Sequence, residues 1–146
     1  NDAGNQVSIA EELDLCERYL RIEALRLDER LQLQWDVAPL LPGTRIPLLT
    51  LQPLLENAIY HGIQPLPEGG TVELQIRYEG DFVVVNIVNP VPPPNQVSES
   101  QGNRMALQNI RSRLAVLYGT QASLKADTQG ETFVTELRFP AVANSV

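Results

Sequence analysis

One cysteine and one histidine occur among the 146 residues. A lone thiol excludes an internal disulfide and a thiolate metal cage, and one His with one Cys leaves too few ligands for a zinc site. Cys16 falls at helical spacing with Leu13 and Leu20, where a small apolar side chain is expected to be buried. Positive charge is scarce too: 11 Lys and Arg against 18 Asp and Glu give a formal charge of −7. A phosphate backbone calls for clustered cations, so no nucleic acid is expected as a partner. An anionic small ligand stays open, because a helix N-terminus and a few local cations suffice to hold one. No apolar run reaches the roughly 20 residues that cross a bilayer, and no signal-peptide pattern is expected at the start. Residues 43% hydrophobic and 20% charged are the balance of a globular domain with one core.

What is present is ordered periodicity. Ser8 and Glu11 have the spacing of a capping box, with Val7 placed as a hydrophobic staple. Leu13, Cys16, Leu20, Ala24, Leu27 and Leu31 then recur every three or four residues, which predicts an amphipathic helix to about Arg30. Strict alternation from Leu31 to Val37 predicts a half-buried strand. Pro39, Pro42, Gly43 and Pro47 break the chain into a loop. A second helix is expected from near Pro47 to a C-cap at Gly62, with a stripe of Leu48, Leu51, Leu54, Leu55, Ala58 and Ile59; Pro53 implies either a bend or a late start. Val72–Tyr78 and Phe82–Val88 read as a hairpin across residues 79–81. Residues 89–103 lack periodicity. Leu107, Ile110, Leu114 and Leu117 restore a helix that Gly119 ends, and strands near 122–127 and 132–139 follow. Hairpins with helices for one face argue an α+β two-layer sandwich, a mixed sheet covered on one side by about three helices. The domain is placed at 7–140, between a polar linker end at 1–6 and a tail at 141–146.

The run Leu51-Gln-Pro-Leu-Leu-Glu-Asn57-Ala-Ile-Tyr-His61-Gly62 resembles the N box of the LytS-type histidine kinases, within the GHKL (Bergerat) ATPase superfamily. Tyr19-Leu-Arg-Ile-Glu23-Ala-Leu-Arg26 and Arg30-Leu31 resemble the helix before that box. Gly102-Asn-Arg104-Met105-Ala106-Leu107-Gln-Asn109, with Arg113 and Tyr118-Gly119, is similar to the second glycine box and its helix, and Thr135–Pro140 to the closing strand. The resemblance spans about residues 7 to 140. It implies an ATP site that takes in Asn57, Tyr60, His61, Asn89, Gly102, Arg104, Met105, Ala106, Leu107 and Asn109, with Glu56 and Asn57 as the catalytic pair. Asn57 is implied as the Mg²⁺ ligand, a role for which an amide oxygen is chemically suited. Glu56 orients a metal-bound water or faces solvent. His61 holds a phosphate or complements the helix dipole.

Three positions depart from the family pattern. Tyr60 stands where many members have lysine. The first glycine box, which normally carries an adenine-binding Asp, reads Val88-Asn89-Pro90-Val91-Pro92; Asn89 retains an acceptor but loses charge assistance, about 1 kcal/mol. Pro90–Pro93 also fits a P-x-x-P ligand. Of three glycines in the second box only Gly102 remains, with Arg104 and Ala106 in the other places. Arg104, Gln108 and Arg111 share a helix face at an N-terminus, where phosphates are favoured; arginines such as Arg111 and Arg113 also occur as plain solvated surface. Residues 89–104 are expected to form a nucleotide lid. The resemblance implies an ATP- and Mg²⁺-dependent protein-histidine kinase domain. Its partners would be a dimerisation segment that carries the acceptor histidine and a response regulator, one candidate being the LytTR type. It also implies a cytoplasmic domain, monomeric as this fragment, of a homodimeric parent in the bacterial inner membrane. The alternative is a degenerate module of the same fold that docks without binding nucleotide well.

Overall fold

A computed structural model of the chain describes residues 6–91 and 101–141, the side chains of 101–104 excepted. Strand β1 (Gln6–Ser8) leads into helix α1 (Ile9–Leu27), a short 3₁₀ turn (Asp28–Arg30) and strand β2 (Leu31–Val37). Strand β3 (Arg45–Pro47), helix α2 (Leu51–Ala58) and a π-helical turn (Ile59–Ile63) come next. The hairpin β4 (Gly70–Glu79) and β5 (Phe82–Pro90) precedes helix α3 (Gln101–Tyr118), and β6 (Ser123–Gln129) and β7 (Thr132–Pro140) close the fold.

Five strands form a mixed sheet in the order β2-β4-β5-β7-β6, with β2 and β4 parallel and the other neighbours antiparallel. Alternation gives the sheet two unlike faces. Leu74 pairs with Ile87, Ile76 with Val85, Val85 with Leu137 and Leu124 with Leu137, and all are buried. Between them Gln75 opposes Asn86, Asn86 opposes Glu136 and Lys125 opposes Glu136, a polar set. The apolar face packs in one core with Cys16 and Leu20 of α1, Leu54, Leu55 and Ala58 of α2, and Ile110 and Leu114 of α3. That is the two-layer sandwich expected. Alternation in β2 is weak: it lies at the sheet edge and leaves Leu33 exposed.

Helix α1 begins as its sequence dictates. The Ser8 hydroxyl accepts from the Glu11 amide at 3.1 Å, and the Glu11 carboxylate accepts from the Ser8 amide at 3.0 Å. Both hydrogen bonds to Ser8 hold the Glu11 carboxyl below its ordinary range. Val7 belongs to a two-stranded ribbon, opposite Ile46. Gln6 pairs with Pro47 in the same ribbon and donates to the Tyr118 hydroxyl at 3.0 Å.

The second helix differs most from expectation. It starts at Leu51, and Pro47 ends β3. Its N-terminus has no local side-chain cap. The carboxylate of Glu12, fully buried on α1, accepts instead from the amides of Leu49 at 3.0 Å, Thr50 at 2.8 Å, Leu51 at 2.9 Å and Gln52 at 3.3 Å. From the other side Arg113 of α3 donates to the carbonyls of Leu48 and Leu49 and to the Thr50 hydroxyl. This double grip holds Leu49 at a φ of 61°, a left-handed value unusual for leucine, and so postpones the helix. Pro53 then falls in the first turn, where its missing N–H costs nothing.

Candidate functional site

The N-box segment leaves α-helical geometry just after Asn57. Residues 59–63 form a π turn, with the Gln64 amide donating to the Ile59 carbonyl at 2.9 Å. Such turns concentrate at functional sites because they re-aim side chains within a continuous helix. Arg30 closes the far end, its guanidinium donating to the carbonyls of Ile63 at 3.3 Å, Gln64 at 2.8 Å and Leu66 at 2.8 Å. An anion at the start and a cation at the end thus complement the dipole of the segment.

Gly62 is not the C-cap expected. It lies inside the π turn, and a Cβ built there would meet the side chain of Asn89 at 2.5 Å. Glycine is required because the end of β5 passes directly against the helix. Asn89 is buried, and its amide nitrogen donates to the Pro90 carbonyl at 2.9 Å, which leaves the oxygen as its acceptor.

On the outer side of the segment lies a cleft of about 480 Å³. Glu56, Asn57, Tyr60 and His61 line one wall, and Tyr19, Glu23 and Arg26 of α1 line the other. The amide nitrogen of Asn57 is buried without a hydrogen-bond partner. A buried donor without a partner is uncommon in a folded domain and singles out Asn57 on this wall. Glu56 accepts from Gln52 at 3.0 Å, which fixes its carboxylate beside Asn57. Burial lowers the pKa of His61 below its ordinary 6.5, so the ring is neutral at pH 7 and offers one donor and one acceptor. The Tyr60 ring, exposed, meets it edge-on at 4.8 Å. Burial, then the charges of Glu23 and Glu56, push the Tyr19 hydroxyl up to about 12 and keep it a donor.

The other expected residues lie apart from this cleft. Asn89 sits against Gly62, Leu107 is in the core, Met105 and Asn109 are exposed on α3, and Ala106 is half-buried there. The side chains of Gly102 and Arg104 lie outside the described residues, as do Pro92, Pro93 and most of the expected lid. Arg111 packs toward β6, its Nε donating to the Leu124 carbonyl at 2.9 Å. Arg113 is likewise structural, as the grip on residues 48–50 shows. Tyr19, Glu23 and Arg26 were given no role from sequence; their spacing of four and three is the signal that places them on one helix face.

No protein-family model matches the chain. Among curated proteins it is 32% identical over 127 residues to the sensor histidine kinase YesM of Bacillus subtilis, covering 86% of this chain and 22% of that one. It is 30% identical over 146 residues to the sensor protein LytS of Streptococcus mutans, covering 92% and 25%. These likenesses support a LytS-type histidine kinase ATPase domain. The chain spans about a quarter of the length of these relatives. The fold is also that of a solved structure: the catalytic domain of histidine kinase ThkA superposes with a TM-score of 0.68 at 12% identity, covering 95% of this chain and 96% of that one. ThkA in complex with the response regulator protein TrrA gives 0.60 at 11% identity, covering 97% and 43%. The mixed sheet under three helices is therefore the GHKL sandwich of the family. Relatives and fold neighbours of this LytS-type domain are kinases, and none favours the docking-only alternative.

Proposed function

We propose that this domain binds Mg-ATP in the cleft between α1 and the N-box segment and donates the γ-phosphoryl group to a histidine on a separate dimerisation segment. The observation that carries the reading is the grouping of Asn57 with Glu56 and His61 on one wall of the cleft. No group of three or more metal-binding side chains occurs among the described residues. Mg²⁺ needs none, because it keeps several waters and takes one or two protein ligands beside the phosphates. The donor set fits that role: Asn57 would supply the amide oxygen and Glu56 would orient a metal-bound water. The metal, when bound, neutralises charge on the transferring group. His61 would donate a hydrogen bond to a phosphate oxygen, and Tyr60 would cover the open side. Asn89, Met105, Ala106 and Asn109 would act from outside this cleft and Leu107 through the core that seats α3, while most of the expected lid lies outside the described residues.

In the transfer the bond between the γ-phosphorus and the bridging oxygen breaks, ADP leaves, and a histidine nitrogen takes the phosphoryl group. His61 is the chain's one histidine. Held beside the phosphates, it is badly aligned for in-line attack, so the acceptor belongs to another segment. A response regulator, of the LytTR type, then receives the group on an aspartate. The domain would sit on the cytoplasmic side of a dimeric parent in the bacterial inner membrane. No helix among the described residues is long and apolar enough to cross a membrane.

The experiment is incubation of the domain with γ-labelled ATP and Mg²⁺, alone and with a separately made dimerisation segment. Acid-labile label is expected only on the added segment. Label on His61 in the domain alone, or none anywhere despite nucleotide binding, overturns the reading.

A further inference from the structure

The cleft has a second wall that the N box does not explain. Glu23 and Arg26 lie on it, three residues apart on α1. Arg26 donates to the Glu23 carboxylate through Nε at 3.1 Å and through the guanidinium terminus. A pair at this spacing on an open helix surface is worth little and needs no purpose. This one differs, because the Glu23 side chain is only 14% exposed while that of Arg26 is 49% exposed. A sheltered carboxylate therefore holds a reachable guanidinium at the rim of the cleft.

Charge in the cleft points the same way. Among its described lining residues Glu23 and Glu56 are anionic and Arg26 is the one permanent cation. His61 is neutral at pH 7, Tyr60 brings no charge, and the chain's one lysine, Lys125, lies on β6. A polyphosphate entering this space meets two carboxylates, and only Arg26 offers it a charge-assisted fork of donors.

We propose that Arg26 is a phosphate-binding residue of this site, held by Glu23 in the free domain and passed to a phosphate oxygen of the nucleotide on binding. Glu23 is then a positioning residue that competes with the ligand for the guanidinium. This rests on the Mg-ATP reading above and adds to it the α1 wall and the exchange of partners.

The test is calorimetric titration of Mg-ATP and of adenosine into the wild-type domain, Arg26→Gln, Arg26→Lys and Glu23→Gln, each checked by circular dichroism. Loss of one charge-assisted hydrogen bond corresponds to roughly a tenfold to hundredfold weaker affinity. Arg26→Gln should weaken Mg-ATP by that factor and leave adenosine unchanged, Arg26→Lys should lose less, and Glu23→Gln should tighten Mg-ATP. Equal weakening of ATP and adenosine would make Arg26 a packing residue and overturn the proposal. So would unchanged ATP affinity in Arg26→Gln, or a loss in Glu23→Gln as large as in Arg26→Gln. Mg-ATP affinity left unchanged by Arg26→Gln overturns this assignment alone, whereas wild-type failure to bind Mg-ATP overturns the functional reading with it.

Discussion

Replacing Glu12 by alanine should remove the N-cap of the N-box helix from a distance of 39 residues in sequence. Four amides, from Leu49 to Gln52, donate to its carboxylate, and the residue is fully buried. Leaving a buried donor unpaired costs about 1–3 kcal/mol, and the lower figure applies where water enters the hole left by the side chain. Four donors at about 1 kcal/mol each give a loss of about 4 kcal/mol, a large part of the 5–15 kcal/mol typical of a domain. Glu12→Gln retains one oxygen but turns an NH₂ toward the remaining amides, so a loss of about 2 kcal/mol is expected. Urea unfolding measures both, with the slope against denaturant showing whether the folded state keeps its compactness. A loss under about 1 kcal/mol for Glu12→Ala at unchanged slope would refute the view that this carboxylate starts the helix.

Gly62→Ala should destabilise the domain by about 1–3 kcal/mol, because the added methyl meets Asn89 at 2.5 Å; an unchanged melting midpoint would count against that close approach. The lowered pKa of His61 makes the unfolded chain bind its proton more readily than the folded one. Stability is thus fully present above the ordinary value of 6.5 and is lost as pH falls through the depressed folded value. Denaturation at pH 7.5 and 5.5 should show a smaller acid loss in His61→Gln than in wild type, and equal losses would contradict burial as the cause. Burial, then the charge of Glu12, pushes the Cys16 thiol up to about 12, so a maleimide should label it only after unfolding. Rapid labelling of the native domain would contradict its place in the core.

Periodicity made most of the fold legible. Helix α1, the β4–β5 hairpin and the closing strands carry their patterns in adjacent residues, and Ser8 with Glu11 states the first helix start outright. The start of α2 is not written locally, since Glu12 and Arg113 supply its partners from other helices. Strands β1 and β3 are three residues each, too short for alternation to register. The Ile59–Ile63 π turn leaves the leucine stripe almost unchanged, so Gly62 reads as a stop until Asn89 is seen beside it. Of the site, the run around Asn57 was legible because its residues are consecutive. The α1 wall was not, because Tyr19, Glu23 and Arg26 meet the N box only through packing.

The measurement that bears most directly on the account is titration of ATP, with and without Mg²⁺, into the wild-type domain and Asn57→Ala. A metal anchor predicts that the variant binds Mg-ATP at least about tenfold more weakly while metal-free ATP is little affected, the difference of one lost charge-assisted contact. Equal weakening of both forms would contradict it, leaving Asn57 as a packing residue and the cleft without its metal site.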